Sequence, residues 1–250
     1  MIYEANIMFM NSKKKKPFEV LKEKANNGNK KAMLKILKNK FDIDNKCYLP
    51  GDNQEILHYL NVLADSGNGY AMRHIGNLYY YGSGYVQDYK KAIEWYEKAA
   101  AQSDGYALCT LGYCYYYGNG VDVDYKKAYG YLLRAAFIDN VNAMYKYGDM
   151  FYYGDYITED KETAFQWYKK AADYPCHSYE ESSVLYRLGK CYLYGHGVEQ
   201  DIDRGYKYLV DAETGLIKQI NEGDPYAVAA LMLPNVQKEL KYAMDIKNNG

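Results

Sequence analysis

Four glycines, Gly76, Gly112, Gly148 and Gly189, recur at intervals of 36, 36 and 41 residues, and the columns around them keep the same register. Gly82, Gly118, Gly154 and Gly195 form a second series. Ala92, Ala128, Ala164 and Gly205 form a third, and Trp95, Tyr131, Trp167 and Tyr208 a fourth. A chain that repeats itself at this period builds stacked, similar units, each burying an apolar face against the next.

Each unit reads as two helices. Met72, Ile75, Gly76 and Tyr79 fall at i, i+3, i+4 and i+7, the spacing of one helix face. Leu108, Leu111, Gly112 and Tyr115 repeat it, as do Met144, Tyr147, Gly148 and Phe151. Gly82 and Gly118 then stand where a helix end calls for a residue free to take positive φ. The second helix opens at an aspartate in every unit: Asp88, Asp124, Asp160 and Asp201. A carboxylate there accepts hydrogen bonds from unpaired backbone N–H groups and suits the positive end of the helix dipole. Ala92, Trp95, Tyr96 and Ala99 give that helix its apolar face. A mid-helix glycine in this setting predicts close approach between neighbouring helices.

Composition narrows the function. With 31 basic and 32 acidic side chains in 250 residues, the formal charge of −1 supplies no overall pull toward nucleic acid or an anionic membrane. Thirty-three tyrosines explain how a chain that is 48% hydrophobic keeps a mean hydropathy of −0.55. No apolar run approaches the roughly 20 residues that cross a bilayer. The lysines Lys13 to Lys16 follow the mildly apolar start instead of preceding it, the reverse of a secretory signal, so a cytoplasmic protein with a solvated lysine run is expected.

Residues for catalysis are sparse. His58, His74, His177 and His196 show no metal-ligand spacing and are expected at the surface. The five cysteines, Cys47, Cys109, Cys114, Cys176 and Cys191, contain no Cys-x2-Cys; Cys114 and Cys191 share a column with Leu78 and Met150 and read as small buried hydrophobes. Ser182 and Ser183 are expected to start a helix, and Gly-Ser-Gly and Gly-Asn-Gly recur as turns without the Gly-Lys-Ser/Thr element of a phosphate loop. No catalytic, cofactor or metal residue is assigned.

Ala71, Ile75, Gly76, Tyr79, Gly82, Gly84, Val86, Asp88, Ala92, Trp95, Tyr96, Ala99 and Ala100 resemble the pattern of the Sel-one-like repeat (SLR) family, relatives of tetratricopeptide repeats. The third unit departs from the pattern at Tyr156, where a second turn glycine is missing, and the fourth at Val184, Gly205 and Glu213. The resemblance implies an all-α, right-handed superhelical solenoid of paired antiparallel helices. It reads as a single domain: an N-terminal segment and entry helix over 1–28, a degenerate repeat over 29–69 with its connection lengthened around Cys47 to Asn53, clear repeats over 70–105, 106–141, 142–182 and 183–215, and capping helices over 216–250. The last helix is expected to begin near Pro234 after a junction at Gly223 to Ala227, with end helices polar on their outer face. Asp173 to Ser182 is expected to form an enlarged connection.

The resemblance also implies function: a monomer-competent, non-catalytic scaffold or adaptor that binds a protein or peptide in its concave groove. Two alternatives accompany it: a bacterial immunity or effector-associated protein that neutralises a toxin, and a hydrolase of the cysteine-rich SLR branch, whose regular paired cysteines this chain lacks. In tetratricopeptide-like arrays the groove is lined from positions three before, one after and four after the glycine column. Carried over by register, these are Arg73, Asn77 and Tyr80; Cys109, Tyr113 and Tyr116; Tyr145, Asp149 and Tyr152; Tyr186, Lys190 and Leu193. The one-after column varies as Asn, Tyr, Asp and Lys beside an invariant Gly, as expected when packing fixes one column and recognition the other. Tyr113, Tyr145 and Tyr186 are harder to read as packing between units than Tyr80, Tyr116 and Tyr152, and Tyr113 and Tyr145 are expected to serve binding without serving stability.

Overall fold

In each clear repeat the second helix begins where its aspartate folds back on the first. The Asp88 amide donates to Tyr79 O (2.9 Å), Asp124 to Tyr115 O (2.8 Å), Asp160 to Phe151 O (2.9 Å) and Asp201 to Tyr192 O (2.9 Å). The same four carboxylates accept from the amides of Lys91, Lys127, Thr163 and Arg204, closing the N-terminal turn. The structure, a computed structural model, describes residues 17–41, 54–174, 178–223 and 228–249. Among these the secondary structure is helical throughout, with no strand: α1 (Pro17–Asn26), α2 (Lys30–Phe41), α3 (Gln54–Asp65), α4 (Gly69–Tyr81), α5 (Tyr89–Ala101), α6 (Gly105–Tyr117), α7 (Tyr125–Ala136), α8 (Val141–Tyr153), α9 (Lys161–Asp173), α10 (Ser178–Tyr194), α11 (Ile202–Asn221) and α12 (Val228–Asn249). None of the described helices is long and apolar enough to cross a membrane.

The chain divides into two compact units, 1–104 and 105–250. The first unit holds α1 to α5 around a core that includes Met33, Leu37, Tyr59, Leu60, Ile75 and Leu78. The second holds α6 to α12, with Leu108, Leu111, Leu132, Met144 and Tyr168 fully buried and Leu193, Leu209, Leu216 and Val236 clustered toward its C-terminal end. Each buried leucine contributes about 1.5–3 kcal/mol. The turn after each first helix uses positive φ, at Gly82 (66°) in the first unit and at Gly154 (73°) in the second. The second turn position is also left-handed, and in the third repeat Tyr156 occupies it at φ 72°, as Gly120 and Gly197 do at 77° and 72°.

Four expectations are corrected. The long 41-residue interval lies largely in helices: α10 starts at Ser178 and runs 17 residues, so the enlarged connection does not extend to Ser182. Ser182 and Ser183 therefore sit inside α10 and are buried, because α11 also continues, 20 residues to Asn221, and covers them. Gln219 Nε2 donates to Ser182 Oγ at 3.1 Å within that added contact. The final helix starts at Val228 and contains Pro234. The ring forfeits one backbone bond there, while Val236, Leu240 and Ala243 anchor the helix in the core. Its outer surface is not uniformly polar, since Leu231 is 74% exposed and Met244 47%. Lys13 to Lys16, the connection around Cys47 to Asn53, Cys176, His177 and the junction residues 224–227 lie outside the described residues.

Candidate protein-binding face

The first helices of the repeats, α4, α6, α8 and α10, touch their second helices at the glycine column. A Cβ built on Gly76 would lie 2.6 Å from the Tyr96 ring, and one on Gly148 2.7 Å from the Tyr168 ring. On Gly112 and Gly189 it would meet Leu132 Cγ at 2.6 Å and Leu209 Cγ at 2.8 Å. The facing residue is thus Tyr in the first and third repeats and Leu in the second and fourth. Where it is Tyr, it also engages the next column. The Tyr96 hydroxyl donates to Asn77 Oδ1 (2.9 Å) and the Tyr168 hydroxyl to Asp149 Oδ1 (2.9 Å). Where leucine faces the glycine, the same column holds Tyr113 and Lys190. In the first and third repeats the column read from the sequence as recognition is thus engaged by the tyrosine of the second helix.

In the first unit, Arg73 pairs with Asp104 at 3.1 Å and lies over the Tyr70 ring (5.0 Å to its centroid). Asn77 is held by Tyr96, and Tyr80 packs edge-on against Tyr81 and Tyr89. In the second unit, Asp149 is only 4% exposed. Arg187 grips it through two bonds of 2.6 Å from Nε and Nη2, and Lys146 Nζ stands 3.8 Å away. Tyr145 is buried: its hydroxyl donates to Asn142 (2.5 Å) and accepts from Tyr113 (3.3 Å), and the Arg187 guanidinium covers its ring. Burial pushes the Tyr145 hydroxyl up to about 12 and the Tyr113 hydroxyl well above its ordinary value. The expectation that Tyr145 serves binding without serving stability is corrected; its ring belongs to the core. Cys109 and Leu193 are buried as well.

Tyr116 donates to Asp155, and Tyr152 shares a hydrogen bond of 2.6 Å with His196 Nδ1. Tyr186 and Lys190 are half-buried, with Lys190 Nζ over the rings of Tyr152 (5.2 Å) and Tyr186 (5.6 Å).

Sequence register missed two columns. The position two before the glycine gives Thr110, Lys146 and Arg187 in the second unit, and the last two turn inward to Asp149. Lys146 Nζ donates to the Tyr117 hydroxyl (2.9 Å) and lies 3.7 Å from the Tyr116 ring centroid and 4.7 Å from that of Tyr117. The same column in the first unit gives His74, which was expected at the surface. It is 5% exposed, stacked on Phe41 at 4.1 Å and tilted against Tyr70 at 4.4 Å, with neither ring nitrogen hydrogen-bonded. Burial and the neighbouring Arg73 hold its pKa well below the usual 6.5. The position five after the glycine is Tyr in all four repeats. Within the second unit it gives Tyr117, 55% exposed, Tyr153, 57%, and Tyr194, 36%. An unbroken tyrosine column at the end of an apolar helix was the available signal.

No group of histidine, cysteine and carboxylate side chains among the described residues could hold a metal ion. Cys109, Cys114 and Cys191 are free thiols; burial raises all three, Cys114 to about 11 and Cys191 to about 12, which leaves them protonated and poorly nucleophilic.

Helix hairpins closed by an aspartate cap, packed through a glycine column and repeated in register, define a helical repeat protein of the solenoid class. The family model for the Sel1 repeat matches residues 69–104, 105–136, 141–173 and 182–210, over half the chain, and the chain belongs to the Sel1 repeat family. Among solved structures it is similar to a Sel1 repeat protein from Oxalobacter formigenes, 24% identical with a TM-score of 0.63, covering 88% of each chain. It is also similar to a protective antigen of uropathogenic Escherichia coli that displays an SLR fold, 23% identical with a TM-score of 0.58. That match covers 94% of this chain and 57% of the antigen. No curated protein matches by sequence. Sel1 repeat proteins generally mediate protein–protein interaction.

Proposed function

We propose that this chain is a non-catalytic scaffold that binds a protein or peptide partner on the first-helix face of its second unit. The observation that carries the reading is the exposed tyrosine row, Tyr117, Tyr153 and Tyr194, at the ends of α6, α8 and α10. Beneath it, the bonds joining Arg187, Asp149 and Tyr168 hold α8, α9 and α10 in place. An exposed tyrosine offers a broad apolar ring and a hydroxyl with little side-chain freedom to lose, the character of an interface anchor. A rigid support under such anchors lowers the entropy lost on binding.

A photo-crosslinking residue placed at Tyr117 or Tyr153 tests this in lysate of the native host. The same protein should be captured from both positions and not from Lys126, exposed on the second helix α7. Equal capture from Lys126 would remove the binding site from this face.

A further inference from the structure

The partner's chemistry can be read from charge balance on α8 and α10, if the tyrosine row is the binding face. Three cations stand there: Lys146 on α8, and Arg187 and Lys190 three residues apart on α10. Among the described residues Asp149 is the one carboxylate that ion-pairs with any of them, and Arg187 occupies both of its oxygens at 2.6 Å. Lys146 lies 3.8 Å from Asp149, beyond hydrogen-bond reach, and donates a hydrogen bond to Tyr117. Lys190 makes no ion pair among the described residues; its ammonium faces the Tyr152 and Tyr186 rings. Three acids around this face accept from neutral donors, Asp155 from Tyr116, Glu180 from Asn142 and Glu239 from Tyr194, while Glu159 pairs with Lys161 at 3.1 Å. Burial, then Lys161 and Lys190, depress the protonation of His196, while Glu159 opposes them.

We propose that this face takes an acidic segment of its partner, with an Asp or Glu carboxylate seated on Lys190 beside Tyr186 and apolar side chains resting on Tyr153. Lys190 is half-buried, so a carboxylate reaching it meets an ammonium already stripped of part of its water, where a charge-assisted bond is stronger than at an open surface. The ring faces hold the ammonium in position without neutralising it. Arg187 is spent on Asp149, so Lys190 supplies the recognition and Lys146 the background field.

The test is selection of a random linear peptide library on the intact chain, followed by affinity measurement of the selected peptides against variants. Enriched sequences should be rich in Asp and Glu. Their binding should fall at least fivefold with Lys190→Gln, persist with Lys190→Arg, and weaken on raising salt from 50 to 300 mM, conditions that shorten the screening length. Unchanged thermal melts for both variants confine the effect to recognition. Peptides that need Tyr153 yet carry no acidic excess and ignore Lys190→Gln overturn this inference and leave the binding-face reading standing. Peptides indifferent to Tyr117→Ala and Tyr153→Ala overturn both. A library that yields no binder overturns the acidic-segment inference, and crosslinking then judges the face independently.

Discussion

The Tyr168 hydroxyl donates to Asp149 Oδ1 at 2.9 Å, joining α9 to α8 beside the point where Gly148 lets the two helices touch. Asp149 is therefore the hub of a buried network in which Arg187 supplies two further bonds from α10. Asp149→Ala strands the Arg187 charge and should destabilise the second unit by about 3–5 kcal/mol. Tyr168→Phe removes one hydrogen bond and leaves the ion pair, for a loss of about 1–3 kcal/mol. Chemical denaturation of the two variants checks the order; a milder effect from Asp149→Ala would contradict the hub assignment.

Gly112→Leu should weaken the fold by about 1–3 kcal/mol, because even a Cβ there would lie 2.6 Å from Leu132 Cγ and the added bulk must displace that side chain. An unchanged melting temperature would show that α6 and α7 do not pack as described.

Tyr145 and Tyr153, both on α8, should separate core from surface. Tyr145→Ala opens a cavity beneath Arg187 and is expected to cost about 3–5 kcal/mol, whereas Tyr153→Ala should stay within about 0.5 kcal/mol. Equal melts for the two variants would place Tyr145 outside the core.

His74 should make the first unit acid-sensitive. Its folded pKa lies well below 6.5, so the folded state keeps it neutral while the unfolded chain takes up a proton as pH falls past that value. The unfolded state binds more protons below pH 6.5, so stability falls with pH through the window from 6.5 down to the folded pKa, by at most about 1.4 kcal/mol per pH unit. His74→Phe, which keeps an aromatic ring between Phe41 and Tyr70, should flatten that window. Melts at pH 7.5 and 5.5 for both proteins decide it.

Tyr156 is held at φ 72°, where an L side chain is strained, and its ring is half exposed. Tyr156→Gly should stabilise the second unit by about 1 kcal/mol, since the left-handed conformation costs roughly 1–2 kcal/mol that glycine does not incur, less its greater freedom when unfolded. A lower melting temperature would mean that the ring contact with Tyr129 outweighs the strain.

The periodic residues made the helices, their aspartate caps and the glycine contacts legible in advance, because each answers a local demand: an unpaired amide, a positive φ, a close approach. Which side chains face solvent was less legible. Register placed Asp149 in a groove, yet a carboxylate is drawn inward when an arginine 38 residues later can grip it, and that pairing is invisible along the chain. His74 and Lys146 share one column and are both buried, the first between rings and the second against Tyr117 and its neighbours. The lengthened α10 was hidden because an insertion of polar residues reads as a loop until α11 is known to extend beside it.

The alternation of Tyr and Leu opposite the glycine column bears on how such a chain can be rearranged by recombination. A crossover between repeats that preserves each helix pair carries Tyr96 with Asn77, or Leu132 with Tyr113, and the joined product inherits matched halves. A crossover at the turn inside a pair would set Tyr168 against a first helix bearing Lys190, where its hydroxyl loses the carboxylate acceptor that Asp149 provides. The heritable module is thus the hairpin with its internal match, and viable gene fusions should have their breakpoints at the junctions between repeats.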